Sequence, residues 1–185
     1  MDAYVFAREA TAEALQRAAE MVGEVPGLRV VLPLAGEFAA YVAVSDDDPA
    51  VCFRAIASLR ELEGIRKTRA FVGWQPQADD PIVVIPPLPR PTFGPPLGEI
   101  VCFVTATCKP GAAADVYVSA TRRHLVVAAA IVTARRSTVL VELSGDTDEV
   151  LSAAEEVLSI PGIVDAGTSV GVTALGTGLE KARKE

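Results

Sequence analysis

The sequence predicts an α+β protein: two tandem ferredoxin-like βαββαβ domains, of the dimeric α+β barrel type, that form a pseudo-dimer within one chain. Three observations carry this. A proline-rich segment splits the 185 residues into near-equal arms, each arm repeats one order of strand and helix signals, and the arm ends match without a gap.

The dividing segment, 73–99, holds eight of the thirteen prolines. Proline fixes φ and removes a ladder donor, so the stretch reads as a semi-rigid extended connector, with 82–85 able to lie along a sheet edge. The expected divisions are a first domain at 1–73, a linker at 74–99, a second domain at 100–173 and a charged tail at 174–185.

In the first arm, 3–7 reads as a short strand. Thr11 can N-cap a helix whose apolar face is Leu15, Ala18, Ala19 and Val22, closed by Pro26-Gly27. Residues 28–34 are rich in branched side chains and read as a strand. Gly36-Glu37 turns the chain into a further strand at 38–45. Asp46-Asp47-Asp48-Pro49 then opens a second helix, with carboxylates at the positive end of its dipole and proline in the first turn. Its inner face is Cys52, Ala55, Ile56 and Leu59. Gly64 stops it, and 67–73 is the last strand.

The second arm repeats this order. A strand at 100–107 leads through Lys109-Pro110-Gly111 into a helix over 112–122. Residues 125–133 and 138–143 form a strand pair. Gly145-Asp146-Thr147 caps a helix with Val150, Leu151, Ala154, Val157 and Leu158 inward, Pro161-Gly162 ends it, and 164–172 closes the arm. At the arm ends, Leu62-Glu63-Gly64-Ile65 aligns with Ile160-Pro161-Gly162-Ile163.

Charge and composition exclude several classes. Half the residues are hydrophobic, a soluble globular composition, and no apolar run is long enough to span a bilayer. The N-terminus shows no signal-peptide pattern, so a cytoplasmic location is expected. The net charge of −7 argues against direct nucleic-acid binding, whose affinity comes from neutralising phosphates. Cys52, Cys102 and Cys108 form no CxxC pair and read as buried small hydrophobes.

The second arm resembles the effector-binding (regulation-of-amino-acid-metabolism) domain of the leucine-responsive and asparagine-responsive (Lrp/AsnC) transcription regulators. The resemblance lies in VCFVTATCKPGAAADV, STVLVELSGDTDEVLSAAEEVL and SIPGIVDAGTSV. The first arm is similar through GEFAAYVAVSDDDPAV and LEGIRKTRAFVG. The resemblance implies sheet-to-sheet dimers that hold small effectors, commonly amino acids, in interface clefts. The family's turn between strands two and three carries glycine, an acid, an aromatic and a second acid. Here Gly36, Glu37 and Phe38 are kept, Ala39 replaces the second acid, and the equivalent turn reads Thr133-Ala134-Arg135-Arg136-Ser137. With the first strand expected from Ala3, the family's helix-turn-helix is not expected in this sequence.

Chemistry-bearing residues are few. His124 is the only histidine and reads as a helix-terminus residue. Asp46, Asp47 and Asp48 are explained by the helix start, although clustered carboxylates also suit a hard cation. Gly171, Gly176 and Gly178 do not follow phosphate-loop spacing. Arg135 and Arg136 can clamp a carboxylate through a guanidinium fork, or stand as solvated turn charge. Trp74 either walls a cleft with Phe71 or pins the linker to the sheet.

The expected ligand-binding residues are therefore Gly36, Glu37, Phe38, Thr133, Arg135, Arg136 and Ser137, with no metal or cofactor and no catalytic constellation. The expected function is non-enzymatic: a module binding an amino acid or related metabolite, in a homo-oligomer or with a partner protein, without membrane or nucleic acid. An assembly or adaptor module is the alternative. A cofactor-free enzyme of the dimeric α+β barrel type comes third, because the inward residues of the second arm's strands read as largely Val, Ala, Leu and Thr.

Overall fold

In the computed structural model, residues 2–72, 98–134 and 136–178 are described. The first arm runs β1 (Asp2–Ala10), α1 (Ala12–Glu20), β2 (Leu28–Pro33), β3 (Ala35–Gly36), β4 (Ala40–Ser45), α2 (Pro49–Glu61) and β5 (Ile65–Val72). The second runs β6 (Ile100–Cys108), α3 (Ala113–Thr121), β7 (Val126–Ala134), β8 (Arg136–Gly145), α4 (Thr147–Leu158) and β9 (Ile163–Val172), then a short 3₁₀ turn at Thr173–Leu175. Both arms are βαββαβ, and the fold is the expected ferredoxin-like α+β type. The proline-rich stretch lies outside the described residues, and so do Trp74 and the charged end of the tail.

Local chemistry sets the helix starts. Thr11 accepts a hydrogen bond from the Ala14 amide at 3.2 Å, and Asp48 accepts one from Ala50 at 2.8 Å, so each satisfies an orphan N–H of the first turn. Asp46 in turn accepts from the Asp48 amide. The acidic run is thus spent on capping, and among the described residues no cluster of His, Cys, Asp or Glu could hold a metal. No described helix is long and apolar enough to cross a membrane.

Two antiparallel sheets result, with orders β2-β4-β1-β5 and β3-β9-β6-β8-β7. Their side chains sort into three layers. Cys52, Ala55, Ile56 and Leu59 of α2 pack with Ala14 and Ala18 of α1 on the outer face of the first sheet. On the second, Val150, Ala153, Ala154 and Val157 of α4 pack with Val116, Tyr117 and Ala120 of α3. Between the sheets lies a third cluster: Tyr4, Phe6, Val30, Leu32, Phe38, Tyr41, Ala43, Val101, Phe103 and Leu140. The strand parity of 2 sends alternate residues to these layers.

Three elements differ from expectation. The first helix ends at Glu20, because 21–27 close in tight turns, with the Val25 amide bonded to the Met21 carbonyl at 2.9 Å, rather than in a further helical turn. Leu151 and Leu158 of α4 are exposed, because the helix rides on Ala153 and Ala154, whose small side chains narrow the buried arc. The Gly36-Glu37 turn is more than a turn. Ala35 and Gly36 leave their own sheet and pair with Val170 and Ser169 of β9.

That crossing shapes the inner face of β9. The Glu37 amide bonds the Thr168 carbonyl at 3.1 Å, and Phe38 donates to the Ser169 hydroxyl at 3.1 Å. A Cβ at Gly171 would lie 2.8 Å from Leu32 and Leu34, and one at Gly167 would collide with the Glu37 carboxyl. Gly167, Ser169 and Gly171 thus leave room for a strand from the other arm. A return contact ties Thr177 to Val31 at the edge of β2, with N–H···O distances of 2.9 and 3.2 Å.

Gly36 has φ +130°, and an added Cβ would land on the Thr168 carbonyl oxygen. G36A is expected to lower unfolding stability by at least about 1 kcal/mol, by strain at φ > 0 together with loss of the β3–β9 pairing. Urea titration followed by circular dichroism measures this; an unchanged midpoint would show that the crossing contributes nothing.

Candidate functional site

The crossing turn brings charge to the junction of the two sheets. Arg8, near the end of β1, forms an ion pair with Glu37 at 2.7 Å. Its guanidinium also lies 5.9 Å from the centroid of the Phe38 ring. The Arg8 side chain is 47% exposed and that of Glu37 27%, so the pair faces solvent at the rim of the inter-sheet layer. Phe38 is buried and packs on Phe6 at 4.9 Å. A cationic hydrogen-bond donor and an anionic acceptor thus sit side by side above an aromatic floor.

Of the expected ligand residues, Gly36, Glu37 and Phe38 come together here, each fixed by a bond or pairing to β9. Thr133 pairs with Ser137, and Ala134 with Arg136, across the β7–β8 hairpin. Arg135 lies outside the described residues. His124 is exposed in the turn after α3. The three cysteines are buried and unoxidised, and desolvation pushes the Cys102 thiol up to about 11.

A second group was not anticipated. Glu142 of β8 is 3% exposed, and strand parity places it with Leu140 on the face toward the other sheet, while Val141 and Leu143 face the helices. It stands directly opposite Phe103 on β6. Phe103 is enclosed by Tyr41 at 4.3 Å and Phe6 at 5.2 Å. The matching position in the first arm, opposite Tyr4, is Ala43. Among the described residues the Glu142 carboxyl has no hydrogen-bond or ion-pair partner, and no Lys, Arg or His is buried. Burial without compensation pushes its pKa up to about 8.

The inward face is therefore less apolar than expected, since Glu142, Ser144, Ser169 and Thr105 are all buried there or at its margin. Ser144 and Thr105 spend their hydroxyls on the backbone, at Ile100 and Gly167. Elsewhere, an open cleft of about 640 Å³ lies at the start of α4, lined by Glu99, Asp146, Thr147 and Thr173 among others. It holds no buried polar group in search of a partner.

No family model matches the chain, and no curated protein does. Among solved structures it is similar to the siroheme decarboxylase NirDL, with TM-score 0.60 and 10% identity over 92% of this chain and 71% of that one. A microcompartments protein from Desulfitobacterium hafniense DCB aligns over 91% of this chain and 93% of its own, at 14% identity and TM-score 0.37. The first likeness supports the ferredoxin-like fold that the Lrp/AsnC resemblance implied. It also corrects the expectation that the chain is not an enzyme: a decarboxylase is built on the same fold, so a paucity of polar inward residues, itself overstated, is no ground for excluding catalysis.

Glu142 gives a pH signature. Its folded pKa lies above the ordinary value of 4.5, so the folded state holds the proton more tightly than the unfolded chain does. Its presence is least costly below about pH 4.5, and stability falls as pH rises from there through about 8, by about 1.4 kcal/mol per unit at most. E142Q is expected to flatten that slope and to be the more stable protein at pH 8. Denaturant melts at pH 5, 6.5 and 8 test this, and parallel slopes for the two proteins would refute it.

Proposed function

We propose that the chain is a regulatory module that binds an amino-acid-type effector at the junction of its two arms. The observation that carries this is the Arg8–Glu37 ion pair, held astride the crossing from one sheet to the other. A zwitterionic amino acid presents a carboxylate and an ammonium a few ångströms apart. Arg8 offers the bidentate fork for the first and Glu37 the counter-charge for the second.

The energetics favour exchange. A partly exposed ion pair contributes only about 0–1 kcal/mol, so a ligand can replace its two halves at little cost. The anchoring is backbone-based, through Thr168 and the Ser169 hydroxyl, so the site survives when the ion pair opens. The resemblance to effector-binding domains supports the same ligand class. Arg135, Arg136, Thr133 and Ser137 at the opposite hairpin are the corresponding candidates on the other side of the pseudo-dimer.

A second reading is favoured by one observation. Phe53 on α2 and Leu151 on α4 are exposed at 59% and 46%, each one residue after the buried Cys52 and Val150 that match between the arms. Apolar residues repeated on both outer helices suit assembly with further copies or a partner protein.

A thermal-shift screen of the amino acids tests the first reading, because a ligand that binds only the folded state raises its melting temperature. At least one amino acid is expected to raise it by a few degrees, and R8A is expected to abolish the shift without lowering the unliganded stability by more than about 1 kcal/mol. No shift from any amino acid, together with a higher oligomer that dissociates in an F53S/L151S variant, favours assembly instead.

A further inference from the structure

We propose that the outer edge of β5 is a docking edge for an extended acidic segment of another protein, which adds there as a further strand of the first sheet. The proposal does not rest on the Arg8–Glu37 site.

The two arms treat matching edges differently. The edge of β9 takes β3, and the edge of β2 takes Thr177, whereas among the described residues no strand pairs with the far side of β5. The ungapped match of the arm ends sets β5 against β9, so that Ala70, Phe71 and Val72 correspond to Thr168, Ser169 and Val170. Cross-strand neighbours agree, since Tyr4 stands opposite Phe71 as Phe103 stands opposite Ser169. Those three positions of β9 are where Ala35 to Glu37 dock. The same stretch of β5 presents its outward N–H and C=O groups to no described strand. Lys67 leaves the extended region, at φ +53°, so the usable edge is 68–72.

Charge names the occupant. At Gly167 the missing side chain leaves room for the Glu37 carboxyl of the docked strand. The matching residue of β5 is Arg69, which stands opposite Phe6 as Gly167 stands opposite Thr105. Arg66 and Arg69 are exposed, and among the described residues neither forms a hydrogen bond or ion pair. Glu9, the acid opposite Arg66, is taken by Lys67. A strand that docks here as Ala35 to Glu37 dock on β9 therefore brings its carboxylate to a guanidinium instead of a glycine.

This basic strand is a local exception in a chain of net charge −7. A second copy fits the edge badly, because antiparallel pairing of two β5 strands would bring Arg66, Lys67 and Arg69 of each together. An acidic strand meets both needs. Its main chain supplies hydrogen bonds for affinity, and its alternate side chains supply selectivity.

The probe is a fluorescein-labelled peptide of about ten residues alternating Glu and Val, with a Lys-Val peptide as its counterpart. Anisotropy titrations of the full chain are the measurement. Wild-type protein is expected to bind the acidic peptide at least about tenfold more tightly than the basic one, and R66E/R69E is expected to invert that preference. N-methylation at every Glu, or separately at every Val, removes the donors along one side of the peptide, and one of the two is expected to abolish binding. A preference unchanged in R66E/R69E overturns the proposal, and so does binding that survives both methylations, since charge alone would then suffice. No binding by the wild type overturns it as well. Binding that appears only in I82S/V83S/V84S/I85S assigns the edge to this chain's own segment, and a wild-type dimer that R66E/R69E dissociates assigns it to a second copy; either result also overturns it.

Discussion

The molecule depends on one exchange: four residues of the first arm, Ala35 to Phe38, complete the sheet of the second. Without that exchange the two sheets would meet mainly through apolar contact, which is non-directional and fixes no register. The hydrogen bonds from Glu37 and Phe38 to β9, with the Thr177–Val31 bonds in return, convert a slippery interface into a pinned one. The inner surface of β9 is made for this. Glycine at 167 and 171 and serine at 169 remove the side chains that would hold the crossing strand away. The aromatic layer then closes on a fixed geometry, and the Arg8–Glu37 pair is carried to the rim as a consequence.

Much of this architecture was legible in the sequence. The helix starts follow from Thr11 and Asp48, whose side chains do what their positions promise. The inward face of α2 is the one its spacing predicts, Cys52, Ala55, Ile56 and Leu59. Periodicity reads such elements well because burial on one face is a local property. It reads α4 less well, since Leu151 looks as apolar as Val150. What decides between them is how closely the helix approaches its sheet, and two alanines set that distance.

The site was less legible, for physical reasons that differ by residue. Glu142 sits in the run Val139-Leu140-Val141-Glu142-Leu143, where an acid among apolar residues suggests a solvated strand face. Only the second sheet turns that face into an interior. Arg8 and Glu37 lie on different strands, and their meeting follows from the crossing turn rather than from any spacing. Gly36, Glu37 and Phe38 were visible as a motif, but the pairing of Ala35 and Gly36 with another arm was not, because two small residues carry no strand propensity.

The mismatch between Glu142 and Ala43 has a consequence for how such a chain can change over time. When two identical subunits meet across a twofold axis, every substitution arrives twice, and a buried acid would have to be tolerated at both of its symmetry-related positions. Joining the halves in one polypeptide removes that coupling. One half can carry an awkward residue while its counterpart stays inert and supplies stability. The Glu142 carboxyl between the sheets marks where the two copies have stopped being interchangeable.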